Sequence, residues 1–380
     1  MRRTYRYRLY PTRQQAAALG TQVDEACRLY NAALDERRSA WRMHGISIRY
    51  LDQTNQLTAI RAAGHLGVAN FSACQDVQRR VDKAFAAFFR RVKAGEKAGY
   101  PRFRSRTRYD SLCWPSWGDG CTLRPSGRLY VQGVGDLKVK WHRPLVGAVK
   151  TVTAKREAGH WYVCFSVEMP EPEPLPASQL AVGIDVGLTS FAVLSDGSAV
   201  ANPRHFRAAE RRLRLAHRKL ARRQRRSHRR HKARQEVARL YAHVRNQRRD
   251  FHHKTARTVV EHYGLIGVED LNVKGLAGSM LAKSVHDAGW SQFISILSSK
   301  AACAGRTVAK VNPAGTTQVC SACGTVVPKA LAERWHSCPA CGLSLGRDLN
   351  AARNILHRAL IERPGWGRQA ATVGVAHAVA

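Results

Sequence analysis

Alternating apolar and polar positions begin the chain. Between residues 4 and 10, tyrosine and leucine side chains alternate with Arg6 and Arg8, and Pro11 ends the pattern. A period of two predicts a strand with one buried and one open face, and the two arginines lie on the open face. From Gln14 onward, apolar positions recur with the spacing of one helical stripe. That stripe consists of Leu19, Val23, Ala26, Cys27, Tyr30, Ala33 and Leu34.

A second helical stripe follows and ends in a basic run. It consists of Val77, Val81, Phe85, Phe88, Phe89 and Val92. Its phenylalanines could form a surface on which nucleic-acid bases stack, or they could belong to a hydrophobic core. Phenylalanines that share one face of a helix are more often core residues, so the sequence favours the core.

Short strands are predicted after the second helix. Residues 111–169 form brief alternating runs, such as 129–134 and 161–167, which Gly and Asp separate. This pattern predicts a small antiparallel barrel. Residues 170–176 alternate Pro with Glu and predict a linker, so the chain divides into an N-terminal half and a second half.

The second half begins with a predicted hairpin, because two apolar runs flank a Gly-containing bend and Asp196-Gly197 closes the second run. The predicted elements are strands at 180–185, 190–194, 263–268 and 308–311 and an amphipathic helix from Trp290 to Leu297. After Arg363 the chain is rich in Gly and Ala, and we expect a disordered tail.

The charge of the chain indicates the kind of molecule that it binds. The 380 residues contain 63 Lys plus Arg against 27 Asp plus Glu, which gives a net charge of +36. Such an excess predicts a polyanionic partner, and binding should weaken as salt rises because phosphate contacts release counterions. From Arg204 to Arg257, 21 Lys or Arg accompany three acids without Pro or Gly. That segment predicts an extended helix or a helical hairpin that lies against phosphates.

Membrane and secreted locations are disfavoured. No stretch of the sequence approaches the roughly 18 consecutive apolar residues that a membrane span needs. The basic start, residues 1–10, lacks the apolar region of a signal peptide. We therefore expect a cytoplasmic, nucleoid-associated protein of a bacterium or archaeon.

Four of the ten cysteines form the most specific local motif. Cys320-x-x-Cys323 and Cys338-x-x-Cys341 are each followed by glycine. Two such pairs on tight turns can close a tetrahedral thiolate site, which predicts a structural Zn²⁺ ribbon rather than a disulfide pair or an iron–sulfur cluster. His336 is not needed as a ligand. The other cysteines show no pattern and are expected to be reduced structural thiols. They are Cys27, Cys74, Cys113, Cys121, Cys164 and Cys303.

Three acidic residues lie at the ends of apolar segments. Asp185 lies in a predicted strand, Glu269 follows the apolar run 265–268, and Asp348 opens a predicted helix. A carboxylate in a buried strand needs a cation or a polar partner, and oxygen ligands favour Mg²⁺ or Mn²⁺. The trio suits a two-metal nuclease site, although Asp348 taken alone could be a helix cap.

Several motifs together resemble the TnpB family of transposon-encoded RNA-guided nucleases, which are related to the type V CRISPR effectors. Gly183-Ile-Asp-Val-Gly, Val268-Glu-Asp-Leu and Arg347-Asp-Leu-Asn-Ala-Ala-Arg-Asn-Ile are similar to the three motifs of its RuvC-like domain. Gly99-Tyr-Pro-Arg-Phe is similar to the turn after its second helix. One departure is Gly346, where many relatives carry an acid. Asp348, the acid carried over as catalytic, is present.

The resemblance implies an α+β multidomain fold. Its expected parts are an N-terminal wedge-like β-barrel (1–12 and 104–169), a helical recognition insert (13–103), a linker (170–179), an RNase H-like (RuvC) α/β nuclease domain (180–311 and 344–362), an inserted zinc ribbon that binds the target nucleic acid (312–343) and a disordered tail (363–380).

The resemblance also implies a function. An RNA-guided DNA endonuclease would bind a transposon-derived guide RNA and cleave double-stranded target DNA, with its displaced single strand, next to a short transposon-adjacent motif. Asp185, Glu269 and Asp348 would hold catalytic Mg²⁺ or Mn²⁺, and Arg334 would stabilise charge on the phosphate. Candidate nucleic-acid contacts are Arg6, Arg8, Arg102, Arg222, Arg223, Arg225, Arg226, Arg229 and Arg230. A monomer is favoured.

Other functions stay open at this point. A compact type V CRISPR effector has a similar domain order, and a nuclease-dead RNA-guided repressor would bind DNA without cutting it. A nucleic-acid-binding zinc protein is a further alternative. A cut-and-paste transposase also uses three acids on an RNase H core, but the ribbon directly before the third acid disfavours it.

Overall fold

The computed structural model describes residues 1–67, 69–330 and 332–363. The chain divides into two compact units, Met1–Pro170 (unit 1) and Glu171–Ala380 (unit 2). The tail that the sequence predicts from residue 363 lies, beyond Arg363, outside the described residues. No described helix is long and apolar enough to cross a membrane.

Helices and strands alternate along both units. The helices are α1 (Arg13–His44), α2 (Tyr50–Ala62), α3 (Phe71–Lys93), α4 (His205–Ala221), α5 (His228–His262), α6 (Val273–Leu276), α7 (Ala282–Ala288), α8 (Trp290–Cys303) and α9 (Arg347–Glu362). The strands of unit 1 are β1 (Arg2–Tyr10), β2 (Ser111–Trp114), β3 (Cys121–Leu123), β4 (Leu129–Val131), β5 (Gly135–Lys140), β6 (Ala148–Glu157) and β7 (His160–Glu168). The strands of unit 2 are β8 (Ala181–Val186), β9 (Ser190–Leu194), β10 (Ala199–Ala201), β11 (Leu265–Glu269), β12 (Thr307–Val311), β13 (Trp335–Ser337) and β14 (Ser344–Gly346).

Unit 1 contains a seven-stranded antiparallel sheet in the order β2-β6-β7-β1-β5-β4-β3. Strand β1 lies in its centre and pairs with β7 and β5. The alternation predicted for β1 is confirmed, because Tyr5, Tyr7 and Leu9 are buried whereas Arg6 and Arg8 are partly exposed. The sequence of β1 therefore determines which of its faces joins the core.

Helix α1 buries the stripe that the sequence predicts. All seven residues of that stripe are buried, and the helix contacts α3 and β2. Thr12 begins the helix with a capping box, in which its Oγ1 accepts a hydrogen bond from the amide of Gln15 at 3.2 Å. Gly45 ends the helix in the left-handed region, with φ of 66°.

The small barrel predicted for unit 1 is an open half-barrel. Among the described strands, β2 and β3 lie at opposite edges of the sheet and do not pair with each other. Helices α1 and α3 contact β2, one of the two edge strands. The alternation in residues 111–169 indicated strands, but it did not indicate whether the sheet would close.

The stripe predicted on helix α3 is only partly buried. Val77 and Val81 are buried, and Phe85 packs partly against the core. Phe89 and Val92 are 56% and 51% exposed. The expectation of a core role is therefore wrong for the C-terminal end of this helix, because periodicity shows which residues share a face but not how much of that face is covered.

Unit 2 contains a five-stranded sheet in the order β10-β9-β8-β11-β12. Strands β10, β9 and β8 are antiparallel neighbours, whereas β8, β11 and β12 run parallel. Helices α5 and α8 supply Val260 and Phe293 to the core on one face, where Ile184 and Ile266 lie. Helix α9 supplies Ile355 to the other face. The sheet is thus enclosed between two helical layers.

Helix α9 lies directly on two glycines. Gly183 of β8 and Gly267 of β11 are register partners in the sheet. A Cβ atom at Gly183 would lie 2.1 Å from the carbonyl oxygen of Ala352, and one at Gly267 would lie 2.9 Å from Cβ of Ala359. Only glycine at these two positions allows the helix to approach the sheet so closely.

The basic segment forms a helical hairpin, which is one of its two predicted forms. Helices α4 and α5 contact each other along their lengths. The buried residues of this hairpin include Leu213 of α4 and Val237 and Val244 of α5. This apolar stripe is thin, so most of the surface of the hairpin is basic.

We expect Gly183→Ala to destabilise unit 2, because the new methyl group would overlap the carbonyl of Ala352 and α9 would have to move. The free energy of unfolding should fall by roughly 1–3 kcal/mol or more, as measured by urea denaturation followed by circular dichroism. Gly346→Ala is the matched control, since nothing lies within 4 Å of a Cβ there and its φ is −59°. That change should cost less than about 1 kcal/mol. Equal losses in the two variants would contradict the role of Gly183.

Candidate metal centres

Two adjacent parallel strands carry the first two carboxylates of the predicted trio. Asp185 lies near the carboxyl end of β8, and Glu269 is the last residue of β11. The register that pairs Gly183 with Gly267 places these acids side by side, two residues further along each strand. Because side chains alternate between the faces of a sheet, each acid shares the face of its glycine. Both acids are therefore on the side that α9 covers.

Helix α9 brings the third carboxylate to the same face. Asp348 lies in the first turn of the helix, one turn before Ala352, whose carbonyl oxygen faces Gly183. Its carboxylate lies 3.6 Å from Nε of Arg347. The charge of Asp348 acts on Asp185, so the two side chains are electrostatic neighbours. The structure thus brings the three acids together around the end of β8.

Burial and neighbouring charges disfavour the ionised form of Asp185. Burial raises the pKa of Asp185 to about 8, and the charges of Glu269 and Asp348 add to this effect while Arg347 opposes it. Burial also raises the pKa of Glu269. A divalent cation beside these oxygens would reverse the preference and favour the charged forms. The donor set therefore fits a hard cation such as Mg²⁺ or Mn²⁺.

The trio does not have the geometry of a cage for a single ion. Within residues 1–67, 69–330 and 332–363, the four cysteines are the one group of three or more potential ligands close enough to hold a metal ion. More widely spaced carboxylates suit two ions about 3.5–4 Å apart, which share one or more ligands.

Thr316 orients one member of the trio. Its hydroxyl donates a hydrogen bond of 2.6 Å to Oε1 of Glu269, and both residues are buried. The same bond lowers the pKa of Glu269 against the larger effect of burial. A hydroxyl that holds one carboxylate oxygen fixes the orientation of the other, as partners of metal ligands commonly do.

The four cysteines form a second centre. Sγ of Cys320 lies 3.6 Å from Sγ of Cys341, and Sγ of Cys323 lies 3.5 Å from Sγ of Cys338. A tetrahedral ion with Zn–S bonds of about 2.3 Å needs sulfur atoms about 3.8 Å apart, whereas a disulfide needs about 2 Å. A hydrogen bond with the hydroxyl of Thr325 lowers the pKa of Cys323 to about 6. The arrangement fits Zn²⁺.

Each pair of cysteines lies on the same kind of turn. Gly324 and Gly342 follow the two pairs with φ of 78° and 74°. The amide of Gly324 donates 3.0 Å to the carbonyl of Cys320, and the amide of Gly342 donates 3.0 Å to that of Cys338. The left-handed backbone explains why glycine follows each pair. The six other cysteines are free, as the sequence predicts.

Two buried asparagines of α9 connect the centres. Nδ2 of Asn350 donates 2.7 Å to the carbonyl of Val319, and Oδ1 of Asn350 accepts 2.9 Å from the amide of Ser321. Asn354 donates 2.8 Å to the carbonyl of Thr316 and 2.7 Å to that of Val319. The segment that carries Thr316 and the first cysteine turn is therefore attached to the helix that carries the third acid.

Arg334 lies on the ribbon beside the start of α9. Its backbone carbonyl accepts a hydrogen bond of 2.9 Å from the amide of Arg347, the residue before Asp348. Its side chain is exposed. His336, two residues later, is buried next to Nζ of Lys329 and does not belong to the group of four cysteines. The backbone of Arg334 is thus attached to the start of the helix that carries the third acid.

The candidate arginines of unit 1 differ in accessibility. Arg6 pairs with Glu157, and its guanidinium lies 3.8 Å from the centre of the Tyr162 ring. Nη2 of Arg8 lies 2.9 Å from Nδ1 of His160. Arg102 is exposed. The first two guanidinium groups therefore already contact the sheet, whereas Arg102 is more accessible to a nucleic acid.

The candidate arginines of unit 2 surround the turn between α4 and α5. Arg222, Arg225, Arg226 and Arg229 are exposed, and Arg223 is half-buried. Arg230 donates hydrogen bonds of 3.1 and 2.8 Å to the carbonyls of Leu220 and Arg223, so it also stabilises the turn. The four acids of the hairpin already have cationic partners. The pairs are Glu210 with Lys283, Glu236 with Lys219, Asp250 with Lys254 and Glu261 with Arg257.

Sequence reasoning missed several residues that build the centres. The sequence patterns predict no role for Gly183, Gly267 or Thr316, and they predict only a helix at Asn350. One signal was present, because Asn350 and Asn354 are spaced by four and lie on one face of an otherwise apolar helix. The role of Gly183 depends on a distant helix and has no local signal.

Comparison with known proteins identifies relatives of this chain. The chain is 34% identical over 366 residues to the "Putative RNA-guided DNA endonuclease" of Streptomyces pristinaespiralis, and the alignment covers 94% of this chain and 89% of that protein. The chain belongs to the TnpB family. It is also 28% identical over 374 residues to the "Putative RNA-guided DNA endonuclease InsQ" of Escherichia coli (strain K12), with 93% and 91% covered.

Three family models match separate parts of this TnpB-family chain. They are described as "Helix-turn-helix domain" (residues 1–45), "Probable transposase" (164–280) and "Cas12f1-like, TNB domain" (290–355). The third match includes the four cysteines and Asp348. The fold is similar to that of the solved "mini-RNA-guided endonuclease CRISPR-Cas_phi3", with a TM-score of 0.53, 8% identity, and 96% of this chain and 93% of that chain covered.

Asp185→Asn should stabilise the protein in a pH-dependent way when no Mg²⁺ or Mn²⁺ is added. The pKa of Asp185 is about 8 in the folded chain and about 3.9 in an unfolded one. The folded state therefore binds the extra proton between these values, and stability falls as pH rises from about 4 to about 8. At pH 8 the substitution should raise the melting temperature by at least about 2–4 °C, the shift that corresponds to a gain of about 1 kcal/mol in the free energy of unfolding. Calorimetry at pH 5 and pH 8 measures the difference, and an equal shift at both would indicate packing rather than charge.

Thr316→Val should weaken the binding of Mn²⁺ at the trio, because Glu269 loses the donor that orients it and lowers its pKa. Loss of such a partner commonly costs roughly 10–100-fold in metal affinity, which calorimetric titration with Mn²⁺ would measure. Thr316→Ser keeps the hydroxyl and should retain most of the affinity. Unchanged binding by the valine variant would contradict the role of Thr316.

Proposed function

We propose that this chain is an RNA-guided DNA endonuclease. It binds a transposon-derived guide RNA and cleaves target DNA next to a short transposon-adjacent motif. The observation that carries the proposal is the meeting of Asp185, Glu269 and Asp348 on one face of the unit 2 sheet. Membership of the TnpB family, and the names of the relatives from Streptomyces pristinaespiralis and Escherichia coli, support it.

An RNase H-like (RuvC) domain would contain this site. The sheet order β10-β9-β8-β11-β12, with three antiparallel strands followed by two parallel ones, supports that assignment. We assign residues 180–311 and 344–362 to this domain and 312–343 to an inserted zinc ribbon. The insertion point supports a role of the ribbon in positioning target DNA, because the chain leaves β12 and returns at α9 beside the carboxylates.

The trio would hold the catalytic ions, and other residues would arrange the substrate. Bound Mg²⁺ or Mn²⁺ would activate water and stabilise the leaving oxygen of a phosphodiester. Thr316 keeps Glu269 in one orientation, and Arg347 offsets part of the negative charge beside Asp185. Arg334, exposed at the start of α9, would stabilise charge on the phosphate. Cys320, Cys323, Cys338 and Cys341 would hold structural Zn²⁺ away from the reaction.

Nucleic acid would occupy the basic surfaces. The α4–α5 hairpin would line the channel for the guide–target heteroduplex through phosphate contacts, which do not read sequence. Guide pairing would then select the target. In unit 1 we assign the half-barrel (1–12 and 104–169) and the helices (13–103) to the binding of the guide RNA scaffold and the adjacent DNA motif. The exposed arginines of the hairpin turn support the assignment of the α4–α5 hairpin to the heteroduplex channel.

A compact type V CRISPR effector is the second candidate. The match of residues 290–355 to a Cas12f1-like domain favours it as a related function. The genomic neighbour distinguishes the two, since a repeat array would indicate the effector and a transposon end would indicate the transposon nuclease. A nuclease-dead repressor is less well supported, because all three acids are present.

The proposal predicts plasmid cleavage by the chain purified with its co-expressed RNA in Mg²⁺. Asp185→Ala should reduce the cleavage rate at least about 1,000-fold, since it removes a ligand of the reacting centre. Glu362→Gln is the matched control, because Glu362 is an exposed acid at the other end of α9, and it should cleave as fast as the wild type.

Two results would overturn the proposal. One is cleavage by Asp185→Ala at the wild-type rate in a preparation free of other nucleases. The other is the absence of any discrete RNA when the nucleic acid that co-purifies with the wild-type chain is sequenced. A discrete RNA without cleavage by the wild type would instead indicate a binding protein.

A further inference from the structure

Unit 1 contains an aromatic groove to which no specific role has been assigned above. Two adjoining cavities, of about 720 and about 550 Å³, share Trp41 and Tyr100 as lining residues. Phe85, Phe88 and Phe89 of α3 line the first cavity, and Phe103 lines the second. We call these six residues the aromatic groove. All six belong to α1, α3 and the segment that follows α3.

The aromatic groove is open rather than a covered core. Trp41 is 63% exposed, and Phe89, Tyr100 and Phe103 are 56%, 44% and 49% exposed. Tyr100 is nevertheless held in place, because it packs edge-on against Phe85 and Phe88 at centroid distances of 5.6 and 5.4 Å. Exposed aromatic side chains at fixed positions are a feature of binding sites.

Charge restricts what can occupy the groove. Arg38, Arg42 and Arg102 line the second cavity and are exposed, and exposed Arg49 lines the first. The carboxylate of the groove, Asp82, pairs with Arg37 at 3.1 Å and is therefore neutralised. An apolar protein segment would gain nothing from these cations. Fixed aromatic rings with arginines at their border suit a ligand that has flat bases and phosphates.

The dimensions favour bases that are already separated from one another. The two adjoining cavities, of about 550 and about 720 Å³, are small, so the groove accepts a few nucleotides at most. A folded RNA presents such nucleotides in its loops and bulges, where unpaired bases stack on aromatic side chains and arginine planes.

We propose that the aromatic groove binds unpaired nucleotides of the guide RNA, with bases stacked on Trp41 and Tyr100 and phosphates beside Arg42 and Arg102. The proposal rests on the proposed function, because it takes the guide RNA as the partner. It adds a defined site in unit 1 at which the protein recognises the fold of that RNA. It also gives the exposed end of the α3 stripe a role.

The test uses the full chain and the RNA that co-purifies with it, sequenced and then transcribed in vitro. Filter binding at fixed salt compares Trp41→Ala, Trp41→Phe and Leu51→Ala. Loss of one stacked base should weaken RNA binding by about 5- to 150-fold. The phenylalanine variant should retain most of the affinity. Leu51, 68% exposed in the same unit and absent from the lining of both cavities, is the matched control and should leave affinity unchanged.

Ultraviolet crosslinking of the wild-type complex supplies an independent measurement. Crosslinked peptides should contain Trp41 or Tyr100 joined to nucleotides that chemical probing shows to be unpaired. Wild-type RNA affinity of Trp41→Ala, or crosslinks only elsewhere in the chain, would overturn the proposal. So would a variant that keeps RNA affinity but loses binding of single-stranded DNA, or one that changes only the oligomeric state in sedimentation. If no discrete RNA co-purifies, the proposed function itself fails, and the two failures are thereby distinguished.

Discussion

The contact of helix α9 with Gly183 and Gly267 determines where the third acid lies. Asp185 and Glu269 are fixed by the pairing of two strands, but Asp348 is on a helix that could lie at many distances from the sheet. The absence of a Cβ at both glycines brings the backbone of α9 against β8 and β11. A conventional helix-to-sheet separation would move Asp348 away from Asp185, and a shared cation site would be lost.

The same helix holds the cysteine centre through Asn350 and Asn354. Both asparagines donate to the carbonyl of Val319, next to Cys320, and Asn354 also donates to the carbonyl of Thr316. The hydroxyl of Thr316 in turn donates to Glu269. Zinc would stabilise the ribbon locally, and hydrogen bonds would transmit that order to the carboxylate of Glu269. The two centres are therefore mechanically connected although their chemistry differs.

Local features could be predicted from the sequence, and features that depend on distant contacts could not. The alternation around Tyr7 and the stripe through Val23 predicted their elements because burial follows the period of the backbone. The cysteine turns were predicted because ligand spacing is local. The contact of Gly183 with Ala352 joins residues far apart in the chain, so no window of sequence contains it. The exposure of Phe89 was not predicted for a related reason. The apolar stripe shows which residues share a face of the helix, but not whether another element covers that face.

The prediction of three acids at one site needed more than spacing. Each acid ends or opens an apolar segment, but many acids do so in a protein of this size. The motifs supplied the grouping, and the parallel pairing of β8 with β11 supplied its physical reason. Thr316 and Arg347 enter only through side-chain contacts, which depend on the assembled fold.

The α4–α5 hairpin has a consequence for the free protein. Between residues 204 and 257, three carboxylates cannot neutralise 21 cations, so like charges repel one another along both helices whenever no polyanion is bound. This repulsion opposes the folding of the hairpin, and small ions screen it over about 8–10 Å. Salt thus has opposite effects on the two states, because it relieves the free chain of its self-repulsion while it weakens the phosphate contacts of the complex. If the hairpin folds before the nucleic acid binds, its folding depends on the ionic strength of the solution. If the hairpin folds on the bound nucleic acid, the phosphates neutralise its charge and screening by salt is not needed.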